Sequence, residues 1–202
     1  MMMDGAACLE GLNEEQRVAV GQVDGPLLIL AGAGSGKTRV LTRRVAYMLT
    51  QGVEPWNILA VTFTNKAAQE MRNRVRELVG PAADRVMVST FHSACVRFLR
   101  SDIECLGYKR NFTIYDSDDQ SRLLKTLAKE ANIDTKAWPI AKMRSTIDQA
   151  KTKMQTAGQF ADSRRASLGD PMVKIYRSYE EHLKVANAVD FNDLLNLTVR
   201  VF

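Results

Sequence analysis

The residues whose types and spacing could do chemistry cluster between Ala31 and Thr38. Ala31-Gly32-Ala33-Gly34-Ser35-Gly36-Lys37-Thr38 follows the pattern Gly-x-x-x-x-Gly-Lys-[Ser/Thr] except at its first position, where alanine replaces glycine. Glycines at this spacing let the backbone N–H groups of Ala33, Gly34, Ser35 and Gly36 turn inward around phosphate oxygens, and a helix starting near Lys37 adds its positive N-terminal dipole. Lys37 then supplies a mobile cation for β- and γ-phosphates, and the Thr38 hydroxyl a ligand for Mg²⁺. The bland alternative is a glycine-rich turn with no ligand. Strand, loop and helix all fall where the motif requires them, which favours nucleotide binding. The loop alone does not separate a helicase from a small-molecule kinase, a GTPase or a transporter ATPase.

The elements that must position this loop are legible around it. Leu27-Leu28-Ile29-Leu30-Ala31 is a short apolar run that breaks into glycines, as a buried parallel strand entering a loop does. Val40, Leu41, Val45, Met48 and Leu49 then recur at helical spacing up to Thr50, and Gly52 stands where a C-terminal stop belongs. The same grammar predicts a strand over Ile58–Phe63, a helix over Lys66–Val79 ended by Gly80-Pro81, a strand at Val86–Val88, and a helix from Ser89-Thr90 to about Leu106. Strands alternating with helices imply an α/β layer fold with a mostly parallel sheet. After a further short strand, Phe112–Tyr115, the pattern turns helical from Ser117 to about Val185. Asp116-Ser117-Asp118-Asp119 offers N-caps at its start, and Gly169-Asp170-Pro171 punctuates its last two helices. The predicted organisation is residues 1–116 as the α/β domain, 117–188 as an all-helical insertion, and 189–202 as the return segment.

Composition bounds the rest. Hydrophobic residues make up 46% of 202, enough to bury a core, and 28 Lys and Arg against 23 Asp and Glu permit a polyanionic partner without demanding one. The start has no apolar run long enough for a signal peptide and no segment has the length of a membrane span, so a cytoplasmic protein without a membrane partner is expected. Cys8, Cys95 and Cys105 lack metal or redox spacing and read as reduced thiols. The helical insertion is mildly basic. Lys142, Arg144, Lys151 and Lys153 are candidates to touch duplex phosphate, against the alternative of a solvated helical surface.

Several further segments narrow the class. Leu12-Asn13-Glu14-Glu15-Gln16 precedes the loop. Val61-Thr62-Phe63-Thr64-Asn65-Lys66-Ala67-Ala68-Gln69-Glu70-Met71 places an aromatic, two hydroxyls, an amide and a lysine at a strand's C-terminal end, where α/β sheets present ligand sites. There Phe63 either completes the strand's core face or stacks on a base. Ser89-Thr90-Phe91-His92-Ser93-Ala94-Cys95-Val96-Arg97 repeats the arrangement, and in the sequence no carboxylate or cysteine stands at metal-ligand spacing from His92. On these segments the chain resembles the superfamily 1 DNA helicases of the UvrD/PcrA/Rep type. Phe112–Gln120 and Val189-Asp190-Phe191-Asn192-Asp193-Leu194-Leu195 look like that family's boundaries around its inserted helical domain. The likeness runs from Leu12 to Phe202.

The resemblance implies a RecA-like P-loop domain that uses ATP and Mg²⁺, within a 3′-to-5′ DNA helicase of repair or replication. It implies Gln16 as the adenine reader and Arg39 against the nucleotide. It assigns Thr62, Phe63, Thr64, Asn65, Thr90, Phe91 and His92 to single-stranded DNA, with junction duplex as a further partner. The family continues into a strand ending in an Asp-Glu pair and a second RecA-like domain with arginine fingers. Neither is found up to Phe202, so the expectation is a C-terminally truncated piece that binds better than it turns over. The alternative class is a non-catalytic module binding ATP and single strands. Without the neighbouring strand, Leu27–Leu30 is expected to present an uncovered sheet edge open to self-association.

Overall fold

The computed structural model describes residues 4–163 and 170–202. By the density of its internal contacts the chain divides into two compact units, Met1–Ala94 and Cys95–Phe202.

In the first unit, helices α1 (Gly5–Leu9), α2 (Glu14–Gly21) and α3 (Lys37–Thr50) precede strand β1 (Leu59–Thr62), helix α4 (Asn65–Val79) and strand β2 (Met87–Thr90). The strands pair in parallel with Leu59 opposite Met87 and Thr62 opposite Thr90. Amphipathic α3 and α4 bury Val45, Leu49, Ala68, Met71 and Val75 against Ile58, Val86 and Val88 of the strand segments. A smaller cluster joins Leu12, Ala19 and Val20 to Val40, which seats α2 against the start of α3.

Leu27–Leu30, expected as a buried parallel strand, takes no sheet pairing. Ile29 packs on the Leu12, Ala19, Val20 and Val40 cluster, while Leu28 and Leu30 are 81% and 87% exposed. The alternation is that of a strand with one face covered, but a strand is completed only by a ladder partner. Other boundaries shift by one or two residues. β1 is shorter at both ends than Ile58–Phe63, and α4 begins at Asn65. β2 runs on through Ser89 and Thr90 because both continue the ladder with β1.

In the second unit, α5, which spans Phe91–Asp102 across the boundary, is followed by a 3-10 turn at Ile103–Leu106. Strand β3 (Thr113–Tyr115) leads into α6 (Ser117–Glu130), α7 (Ile140–Thr152), α8 (Ala157–Ser163) and α9 (Pro171–Val185), and the chain returns through β4 (Ala188–Asp190) into α10 (Phe191–Val201). β3 and β4 are parallel neighbours, with Tyr115 opposite Asp190. Asp116 caps α6 through the N–H groups of Asp118 and Asp119, and Asp170 caps α9 through Met172. Gly169, the first residue of the expected punctuation, lies outside the described residues. The helices close over Leu124, Met143, Tyr176, Tyr179 and Leu183, while Leu99, Ile103, Phe112, Val189 and Leu194 form a second cluster beneath the strand pair. Among the described residues the expected parallel sheet is thus present as two separate two-stranded sheets. All three cysteines are free thiols, and no described helix is long and apolar enough to cross a membrane.

Candidate functional site

The glycine loop follows Leu30 directly and ends where α3 begins. Gly34 and Gly36 have φ of 76° and 84°, a region that a side chain with Cβ disfavours, and Gly36 is the N-cap residue of α3. At Gly36 space is limiting too, since a Cβ there would lie 3.1 Å from Nε2 of Gln16. A Cβ at Gly32 or Gly34 would meet nothing within 4 Å, so the loop is open on that side. Ser35 Oγ donates to the Gly32 carbonyl at 2.7 Å and folds the loop on itself.

Lys37, the first residue of α3, turns its ammonium back over the loop, donating to the carbonyl of Ala31 at 2.9 Å and to that of Gly32. It is exposed, and among the described residues it makes no ion pair. Its charge is met by backbone dipoles alone, so an anion entering the loop competes with two carbonyls rather than with a carboxylate.

Gln16 arrives from the opposite wall. Asn13 and Gln16 form a reciprocal capping box at the start of α2, with Asn13 Oδ1 accepting from Gln16 N at 2.9 Å and Gln16 Oε1 accepting from Asn13 N at 3.2 Å. The side-chain amide nitrogen of Gln16, Nε2, donates to the Ser35 carbonyl at 3.1 Å. Helix α2 is fixed for this by Arg44 of α3, which donates to the carbonyls of Ala19 and Val23. Asn13, Gln16, Ile29, Ser35, Lys37 and Val40 thereby line one cavity of about 420 Å³, within the range of small-ligand sites.

The residues present fit a nucleotide with its metal in chemical type. They offer an unpaired cation, left-handed glycines on an open loop, a helix N-terminus, and an amide with donor and acceptor in the same cavity. Ala33, Gly34, Thr38 and Arg39 are exposed on the loop and first turn of α3, outside that cavity wall. Arg39 instead lies toward Gly11, where a Cβ would come within 3.1 Å of its guanidinium. No described group of three or more His, Cys, Asp or Glu residues could hold a metal unaided. The exposed Thr38 hydroxyl would be the protein's ligand to a Mg²⁺ ion, a hard cation that keeps several waters and is otherwise held through substrate phosphates.

A second cluster of expected residues gathers at the C-terminal ends of β1 and β2. Thr62 and Thr90 are paired in register, so the residues that follow them, Phe63 and Phe91, emerge side by side with ring centroids 5.7 Å apart at 44°. Phe63 is 91% exposed and Phe91 44%, which excludes Phe63 as a member of the core. Helices α4 and α5 begin at the same edge. Thr64 caps α4 by accepting from Ala67 N at 3.2 Å, and Thr62 Oγ1 donates to the Thr64 carbonyl at 3.0 Å. Thr90 is buried, and its hydroxyl accepts from Ser93 N and donates to Ser93 Oγ at 2.8 Å. Asn65, Lys66 and His92 are exposed beside the two rings. Two aromatic faces next to two helix N-termini suit a single strand, with bases on the rings and phosphate at the helix ends.

The helical layer corrects one sequence expectation. Lys151 is not a surface cation for duplex phosphate: it is 2% exposed and paired with Asp190 and Asp193 at 2.7 Å each. Burial pushes its pKa down, but the two carboxylates outweigh burial and leave it raised. Lys142 and Lys153 are exposed, and Arg144 donates to the Ser117 carbonyl and Ser121 Oγ. Sequence reasoning also passed over Phe191. It directly follows β4 as Phe63 and Phe91 follow β1 and β2, and it is 51% exposed. The repeated order of strand end, phenylalanine and helix start was the available signal.

With this geometry, the class is set by comparison with known proteins. The family profile described as the UvrD/REP helicase N-terminal domain matches residues 12–202, and the chain belongs to that family. Among curated relatives it is 46% identical over 195 residues to the ATP-dependent DNA helicase PcrA of Bacillus subtilis (strain 168), a match covering 96% of this chain and 26% of that protein. It is 44% identical over 197 residues to PcrA of Staphylococcus aureus (strain Mu50), covering 97% and 27%. PcrA of Staphylococcus epidermidis is likewise 44% identical, with 97% and 27% covered. The chain therefore spans about a quarter of the length of these relatives.

Proposed function

We propose that this chain is the ATP-binding and single-strand-binding N-terminal part of an ATP-dependent 3′-to-5′ DNA helicase, acting in the cytoplasm on single-stranded DNA and its junctions with duplex. The observation that carries the nucleotide assignment is the meeting of Gln16, Ser35 and Lys37 in one cavity beside the left-handed glycines Gly34 and Gly36. Gln16 takes the adenine edge, the backbone of Ala33–Gly36 cradles phosphate, Lys37 reaches the β- and γ-phosphates, Thr38 holds Mg²⁺, and Arg39 turns from its place near Gly11 to lie against the nucleotide. When bound, Mg²⁺-ATP supplies the free energy of phosphoryl transfer to the whole enzyme. Binding requires Lys37 to release the carbonyls of Ala31 and Gly32.

In the same reading residues 1–116 and 189–202 form a RecA-like P-loop domain interrupted by the helical insertion 117–188. Single-stranded DNA lies across the ends of β1 and β2. Phe63 and Phe91 stack on bases, and Thr62, Thr64, Asn65 and His92 contact the backbone or are held ready for it, while Thr90 positions the start of α5. Residues 1–202 alone bind without unwinding, because charge stabilisation of the kind an arginine finger supplies, about 10³–10⁵ in rate, comes from elsewhere. Calorimetry with Mg²⁺-ADP tests the assignment. Binding that Lys37→Ala abolishes is expected, and equal affinity in both proteins would refute it.

A further inference from the structure

Lys151 is the one buried lysine among the described residues. Its ammonium, on the last turn of α7, donates to Asp190 Oδ2 and Asp193 Oδ1 at 2.7 Å each and lies 5.2 Å from the centre of the Tyr179 ring. Tyr179 OH, from α9, donates to the same Asp190 oxygen at 3.1 Å. The other carboxylate oxygens are occupied: Asp190 Oδ1 accepts from Asp193 N at 2.9 Å and Asp193 Oδ2 from Asp190 N at 3.1 Å, the capping box that starts α10. Two more bonds run between α10 and α7, from Asn196 Nδ2 to the Lys151 carbonyl at 2.8 Å and from Asn192 Nδ2 to Asp148 Oδ1 at 3.0 Å.

The topology gives this cluster a mechanical meaning. The chain enters the helical layer from β3 and returns to β4, and these strands are adjacent. Two neighbouring crossings make a hinge, about which α6–α9 would swing if apolar packing alone held them. Apolar contacts tolerate sliding, whereas a buried ammonium between two carboxylates does not, because each displaced charge is left unpaired in a medium of low dielectric. We infer that Lys151 is a clasp that makes the inserted helices, the β3–β4 pair and α10 move as one rigid body. Motion of the insertion then carries α10 with it.

Hydrogen exchange on the whole chain tests this. In the wild type, amides of α7 and α10 are expected to share one protection level. Tyr179→Phe removes only the hydroxyl donor to Asp190 and keeps the ring, and it is expected to speed exchange about tenfold in α7 and α10 together. Lys151→Met keeps the length of the side chain without its charge, and α7 and α10 are expected to separate by tenfold or more. If Lys151→Met does not fold, the variant that adds Asp190→Asn and Asp193→Asn removes all the charges and is read in the same way. Faster exchange confined to α9 in Tyr179→Phe, or coincident α7 and α10 exchange in either charge-removing variant, would overturn the inference.

Discussion

Replacing Phe63 with alanine separates binding from folding. The side chain is 91% exposed, so its loss removes almost no buried area and stability should change by no more than about 0.5 kcal/mol. Its ring contact with Phe91, at 5.7 Å and a tilt of 44°, is between two exposed rings and belongs at the low end of aromatic pairing, about 0.5 kcal/mol. A base stacked on it would contribute about 1–3 kcal/mol. With about 1.4 kcal/mol per factor of ten, Phe63→Ala should weaken single-strand affinity roughly 5- to 150-fold. The phosphate contacts proposed for Thr64, Asn65 and the starts of α4 and α5 would stay in place, so affinity should fall with salt along parallel lines in both proteins. The assay is fluorescence anisotropy with a labelled oligonucleotide at several salt concentrations, beside thermal unfolding. Unchanged affinity in a stably folded variant, or a changed salt slope, would refute the stacking role.

Other consequences follow from the same geometry. Residues 1–202 should show no appreciable DNA-stimulated ATP turnover in a steady-state assay. A Lys37-dependent rate near that of an intact helicase would contradict the assignment of roles. Burial pushes the Asp193 carboxyl up to about 6, against the pull of Lys151 and with the Asp190 charge adding to the rise. The folded chain therefore holds a proton that the unfolded chain, with an ordinary value of 3.8, releases at lower pH. The charged carboxylate costs stability above about pH 6, and lowering the pH toward 4.5 should raise the contribution of this group to stability. Urea titrations should show that contribution in the wild type and not in Asp193→Asn, and identical pH dependence in the two would exclude it. Leu28 and Leu30, at 81% and 87% exposure, should drive concentration-dependent self-association that Leu28→Lys with Leu30→Lys suppresses. Light scattering from a monomer at every concentration would argue otherwise.

The parts of the fold legible in the sequence are those fixed by neighbours along the chain. The loop was readable because Gly34 and Gly36 are required by left-handed backbone, and α3 and α4 because their apolar spacing is helical. Leu27–Leu30 carries a strand's composition, yet strand formation depends on a partner elsewhere, and no local signal reports whether one is present. β4 was missed because Ala188-Val189-Asp190 is too short to show periodicity and ends in a buried acid. The same limit hid Lys151, whose neighbours in sequence resemble those of exposed Lys142 and Lys153. Only tertiary packing brings it to Asp190 and Asp193. Exposure removes Phe63 from the core, one of the two places the sequence left open for it.

The central claim is that one cavity reads both a base and its phosphates, and its most direct test is a competition series with Mg²⁺-ATP, Mg²⁺-GTP and tripolyphosphate on the wild type, Gln16→Ala and Lys37→Ala. The wild type should prefer ATP to GTP, Gln16→Ala should lose that preference while still binding tripolyphosphate, and Lys37→Ala should lose all three. Retained ATP preference in Gln16→Ala, or phosphate binding undiminished in Lys37→Ala, would contradict the account.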